Sequence, residues 1–146
     1  MMNIAVSACL LGEPCRYDGA SKPHEGVLAL RSHHTLVPIC PEVAGGLPIP
    51  HPPCEIVVGS EPLHVMDANG IDRTAAFLEG ARKTLETVQA TNCRTAILKA
   101  KSPSCGTGRV YDGTFTGTLV DGFGVAARLL QENGIRVLDE NQVDSL

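Results

Sequence analysis

Ala96-Ile97-Leu98-Lys99-Ala100-Lys101-Ser102-Pro103-Ser104-Cys105-Gly106-Thr107-Gly108 is the stretch on which the fold turns. Thr95 to Leu98 is a short apolar run with two β-branched residues, which suits a strand buried on both faces. Ser102-Pro103 and Gly106-Thr107-Gly108 cannot continue it, because both are turn chemistry. A buried strand that stops in a polar loop holding hydroxyls, lysines and a thiol is the layout of α/β proteins, which bind ligands at the carboxyl ends of parallel strands.

The rest of the chain fits that layout. Asn3 to Ala8 reads as a first buried strand that delivers Cys9 at its end, and Leu36 to Cys40 as a second. A short helix from Pro23 to about Arg31 separates them. Pro38 is awkward in a central strand. Pro41 to Pro53 carries five prolines and Gly45-Gly46, and is expected to be an extended loop. Glu55 to Val58 and Leu63 to Met66 read as a small hairpin around Gly59-Ser60-Glu61-Pro62. From Asp72 to Thr91 the period is helical, with Ile71, Ala75, Leu78, Ala81 or Arg82, Leu85 and Val88 on one stripe. Glu79 and Lys83 are placed for a pair on the outer face, and Asp72 or Thr74 for a cap. Gly124 to Asn133 is a further helix closed by Gly134, and Ile135 to Leu138 a last strand before a polar tail. Strands alternating with helices predict an α/β, three-layer, Rossmann-like fold with a mainly parallel sheet, as one domain over residues 1–146.

Composition narrows the function classes. With 43% hydrophobic and 19% charged residues the chain is globular, and it is long enough to bury roughly two-thirds of its unfolded surface. A net charge of −4 argues against nucleic acid or an anionic membrane surface as partner. No apolar run reaches the ~18 residues of a membrane span. Val6-Ser7-Ala8-Cys9 resembles a lipoprotein cleavage site, but a short segment without Lys or Arg precedes it, so a strand in a cytoplasmic protein is expected.

In a reducing compartment the six cysteines (9, 15, 40, 54, 93 and 105) point to metal or catalytic chemistry rather than disulfides. None is spaced as C-x-x-C, so any shared site has to be assembled by the fold. The ends of parallel strands share one sheet edge, which brings Cys9, Cys40 and Cys105 together. Cys93 falls on the opposite edge as a buried thiol, and Cys15 and Cys54 lie in loops on the active edge. Three converging thiols leave several chemistries open. Structural zinc lacks a fourth ligand, since His33-His34 follows a helix and is expected to be solvated. A nucleophilic cysteine needs a partner thiol and a base. An iron–sulfur cluster on three cysteines keeps one iron open as a Lewis acid.

Ser7-Ala8-Cys9-Leu10-Leu11-Gly12, Cys15-Arg16-Tyr17-Asp18-Gly19, Pro38-Ile39-Cys40-Pro41-Glu42, Gly45-Gly46-Leu47-Pro48, Ser102-Pro103-Ser104-Cys105-Gly106 and Tyr111-Asp112-Gly113-Thr114-Phe115-Thr116-Gly117 occur in this order. In this set the chain resembles the thiouracil desulfurase family, a small bacterial family once filed as a domain of unknown function. The resemblance spans nearly the whole chain. It implies a 4Fe-4S cluster held by Cys9, Cys40 and Cys105, whose open iron takes sulfur from a thiolated pyrimidine base. It also implies a catalytic pair at Glu42 and Ser102.

The implied reaction converts 2- or 4-thiouracil, or a related small-molecule thiolated nucleobase, to the oxo base and sulfide. No net redox is involved, so no nicotinamide or flavin is expected. The chain departs from the family's usual loop at Ile49, His51 and Cys54, where Thr, Arg and Ala are common. Arg16, Lys99 and Lys101 are candidates to offset the charge of a thiolate-bound cluster, and Asp18 and Asp112, each before glycine, read as turn residues. Gly106-Thr107-Gly108 lacks the spacing and lysine of a phosphate loop. Two rival readings are a non-catalytic metal- or cluster-binding module and a cysteine-based redox enzyme.

Overall fold

A computed structural model describes residues 1–146, apart from the side chain of Ser145. Its centre is a four-stranded sheet of β1 (Asn3–Ser7), β2 (Thr35–Ile39), β5 (Thr95–Leu98) and β8 (Arg136–Asp139). The spatial order is β2-β1-β5-β8 and every pairing is parallel. Alternation along β1 feeds two cores, because successive side chains point to opposite faces. Ala5 joins Ala96 and Leu98 against the face covered by α3 (Thr74–Ala90) and α4 (Val125–Glu132). Ile4, Val6 and Ile97 pack with Leu10 and Val27 on the other face, under α1 (Glu25–Leu28). The α/β, three-layer arrangement with a parallel sheet is the expected one. Pro38 is accommodated because β2 is an edge strand.

Several elements differ from expectation. The segment after Cys40 is not all extended: Pro41–Ala44 forms α2, with Pro41 at its first position and Cys40 as its N-terminal cap residue. It forms because it can lie directly on α3. A Cβ on Gly80 would sit 1.9 Å from the Pro41 carbonyl oxygen, and one on Gly45 would sit 2.0 Å from that of Ala76. Only glycine at both places permits that approach. The small hairpin is shorter than expected, β3 (Cys54–Ile56) against β4 (Val65–Asp67).

A second hairpin, β6 (Thr107–Tyr111) with β7 (Leu119–Phe123), was not expected. Its signal in the chain is the pair Val110-Tyr111 and Leu119-Val120 on either side of the turn-rich stretch from Asp112 to Thr118. On α3 the buried stripe runs through Phe77, Ala81, Thr84 and Val88, while Ile71 and Leu78 are exposed. The outer pairing of Glu79 is with Arg82 rather than Lys83. The polar tail forms a 3-10 helix, Glu140–Ser145, whose Glu140 is buried.

Candidate active site

Three strands of the four-stranded sheet, β1, β2 and β5, each end in a short connector that carries a cysteine. β1 runs into the 3-10 turn Ala8–Leu11, which holds Cys9 and closes on Gly12 with φ 96°. The Cys9 carbonyl then accepts from the amides of Gly12 and Lys22. β2 delivers Cys40 at the start of α2, and the loop after β5 delivers Cys105. Cys9, Cys40, Cys105, Glu42 and Ser102, the five residues singled out by the resemblance, all line one cavity of about 680 Å³. Cys93 lies away from it, buried beside Thr91.

The 102–106 loop is built as a rigid turn. Ser102 Oγ accepts from the amides of Cys105 at 2.7 Å and Ser104 at 3.2 Å, and the Gly106 amide donates to the Ser102 carbonyl. The same loop finishes α4, which has no side-chain cap. The amides of Val125, Ala126 and Ala127 donate to the carbonyls of Pro103 and Ser104. A Cβ on Gly124 would come within 2.4 Å of the Ser104 carbonyl carbon, so glycine is required where helix and loop meet. Lys101 enters the loop with φ 71°, a strained position for a lysine.

Hydroxyls surround the Cys105 sulfur. Ser7 Oγ stands 3.4 Å from it and Ser104 Oγ 3.6 Å from it, while Ser7 also accepts from the Lys99 amide. Burial pushes the Cys105 thiol up to about 11, against the contacts from Ser7 and Ser104. Cys15, which the resemblance did not assign, is part of the same group. Cys40 Sγ donates to its carbonyl at 3.8 Å; the neighbouring Cys40 thiol draws the Cys15 pKa down, but the Cys9 thiol and burial carry it up to about 11. The Cys40 thiol is raised, first by its contact with Cys15 and then by burial. Burial raises Cys54 to about 12, and that residue also lines the cavity.

Glu42 reaches the cavity from the first turn of α2. Its Oε2 accepts from Ser104 Oγ at 2.9 Å and its Oε1 lies 3.1 Å from His51 Nε2. Ser104 and His51, like Cys15, have no role in what the resemblance implies. Their only signals were adjacency to Cys105 and departure from the family loop. Lys99, a candidate to offset cluster charge, is ion-paired to Glu140 at 2.9 Å while lining the cavity. Asp18 and Asp112 are turn residues as expected, each accepting from an amide two residues on.

Among the described residues no three Cys, His, Asp or Glu side chains gather closely enough to cage one ion. A four-iron cluster asks for a different arrangement, because each thiolate binds a separate iron and the sulfurs stand further apart. All six cysteines are free, and three from separate strand ends face one cavity, so the donor set fits such a cluster. Protons released from raised thiols are the ordinary accompaniment of metal binding.

The architecture and site together define an α/β protein with a cysteine-lined ligand pocket at the carboxyl edge of a parallel sheet. The 2-thiouracil desulfurase family matches residues 4–142, and the chain belongs to it. The chain is 40% identical over 149 residues to the uncharacterized protein YbbK of Bacillus subtilis (strain 168), covering 98% of this chain and 99% of that one. Among solved structures it is similar to the 4Fe-4S-dependent thiouracil desulfidase TudS. That likeness has a TM-score of 0.90 and 45% identity, and covers 100% of this chain and 95% of the other.

Proposed function

We propose that this protein is a 4Fe-4S-dependent desulfurase that converts a thiolated pyrimidine base of the 2- or 4-thiouracil type to its oxo form. The observation that carries the reading is the meeting of Cys9, Cys40, Cys105, Glu42 and Ser102 in one cavity, although they come from three separate strand ends. Cys9, Cys40 and Cys105 are the residues that would hold the cluster. When bound, it supplies a Lewis-acidic iron with an affinity for soft sulfur.

The remaining work falls to the chain. Water adds its oxygen to the thiocarbonyl carbon and sulfur leaves as sulfide, so atoms balance and no electrons are exchanged. Glu42, in reach of the pocket, moves the proton for the attacking water or the ring nitrogen. Ser102 holds the loop that sets Cys105 in place and offers its hydroxyl toward Ser104. Tyr111 and Phe115, from the β6–β7 hairpin, add aromatic wall to the cavity and suit a flat base.

The substrate is a small molecule rather than a nucleic acid, in keeping with the net charge of −4. No helix among the described residues is long and apolar enough to cross a membrane, and a cytoplasmic location is in keeping with six free cysteines. Anaerobic purification with iron and sulfide assays, followed by incubation with 2- and 4-thiouracil, tests the reading. Uracil and sulfide should appear in equal amounts. A protein loaded with iron that releases no sulfide from either base would leave a cluster-binding module as the better account.

A further inference from the structure

Glu42 is engaged at both carboxylate oxygens, and one of its partners is itself anchored. His51 Nδ1 lies 2.7 Å from the Pro48 carbonyl oxygen, which can only accept, so Nδ1 carries a hydrogen. The backbone of the same residue is tied by its amide to the Tyr17 carbonyl at 2.8 Å. The ring packs edge-on to the Tyr17 ring with centroids 6.3 Å apart, and its side chain is only 4% exposed. A ring held at three points has one nitrogen left to offer, Nε2, and it faces Glu42 Oε1 at 3.1 Å. An unprotonated imidazole nitrogen and a carboxylate oxygen repel, so this contact requires a hydrogen between them.

On the other side, Ser102 Oγ accepts from two amides and has its own hydrogen left for Ser104 Oγ, 3.1 Å away. Ser104 in turn donates to Glu42 Oε2. The hydroxyl chain therefore points from the pocket loop to one carboxylate oxygen, and the imidazole holds the other.

We infer that His51 is a positioning residue of the desulfuration: through Nε2 it holds Glu42 Oε1 and so fixes the carboxylate with Oε2 on the Ser104–Ser102 side. This rests on the reading of Glu42 as the group that moves the proton. Its effect runs through Glu42 and not through the cysteines.

The test compares holoenzyme variants His51→Ala, His51→Gln, His51→Arg and Glu42→Gln, and the His51→Ala/Glu42→Gln pair. Iron per chain, uracil binding by calorimetry, and kcat and KM for 2-thiouracil are measured for each. His51→Ala should keep its iron and its uracil affinity and lose kcat by about tenfold to a hundredfold, the effect of one lost hydrogen bond to a charged group. Gln and Arg, which donate an N–H from the same place, should recover most of that loss. In the Glu42→Gln background, removing His51 should change kcat by less than about twofold, since the two act as one unit.

A His51→Ala enzyme with parental kcat, beside a Glu42→Gln enzyme that has lost it, overturns the inference. So does a loss in His51→Ala that Gln and Arg fail to recover, or that tracks loss of iron. If Glu42→Gln itself keeps normal turnover, the underlying reading of Glu42 has failed first.

Discussion

Replacing Ser102 by alanine removes an acceptor that serves two amides, those of Cys105 at 2.7 Å and Ser104 at 3.2 Å. Both residues are buried, so water does not readily take the place of the lost oxygen. One buried donor left unmade costs about 1–3 kcal/mol, and the longer bond contributes at the lower end, so roughly 2–3 kcal/mol of stability should be lost in all. At about 2–4 °C per kcal/mol for a chain of this size, the holoenzyme should melt roughly 4–12 °C lower than the parent.

The damage should also be local. The amide that loses its short bond belongs to Cys105, so iron per chain should fall during dilution or on exposure to a chelator, while the parent retains it. Ser102→Thr keeps the oxygen and should restore both melting and iron retention. Anaerobic thermal melts at one scan rate, with iron assayed before and after chelator challenge, measure all of this. An alanine variant with parental melting and iron retention but little turnover would refute the reasoning, and Ser102 would then act on substrate alone.

Other expectations follow from the same contacts. Cys9→Ser, Cys40→Ser and Cys105→Ser should each lose the cluster, since a hydroxyl binds iron far more weakly than a thiolate, while Cys93→Ser should keep it; iron and sulfide assays decide. Glu42→Gln should bind cluster and uracil and turn over slower by roughly 10²–10⁴, as for a lost acid–base group, read in single-turnover sulfide release. Burial works to raise Glu140, but its bonds from Lys99 and the Ala100 amide hold its carboxyl below the ordinary 4.5. A depressed carboxyl stabilises the fold above its unfolded pKa, and that contribution is lost as pH falls below about 4.5 through the folded value. Glu140→Gln should therefore flatten the acid limb of a stability-against-pH curve, and an unchanged limb would count against the Lys99–Glu140 pair. Gly80→Ala should weaken the docking of α2 on α3, since its Cβ meets the Pro41 carbonyl, and should lower turnover by displacing Glu42.

Much of the fold was legible in the chain itself because its causes are local. Apolar runs with β-branched residues mark β1, β2 and β5, and a helical period marks α3 and α4. From strand ends alone, one sheet edge for Cys9, Cys40 and Cys105 follows, since parallel strands deliver their carboxyl ends to the same side. The motif blocks added the family, together with Glu42 and Ser102 as candidates.

Other features were decided only by contacts between residues far apart in the chain. α2 exists because Gly45 and Gly80 let two backbones touch, and no local period announces that. The α3 stripe shifted to Phe77 because β3 and β4 supply the surface it packs on, through Ile56 and Val65. Ser104 meets Glu42 across 62 residues and Ser7 meets Cys105 across 98, so neither pairing has a sequence spacing to read. His51 looked like a departure in a proline-rich loop. Only the folded loop, with Pro48, Tyr17 and Glu42 around one ring, turns it into a neighbour of Glu42. Period and turn chemistry act over a few residues and are written in the sequence, whereas the orientation of a carboxylate depends on partners that only chain folding brings within 3 Å or so.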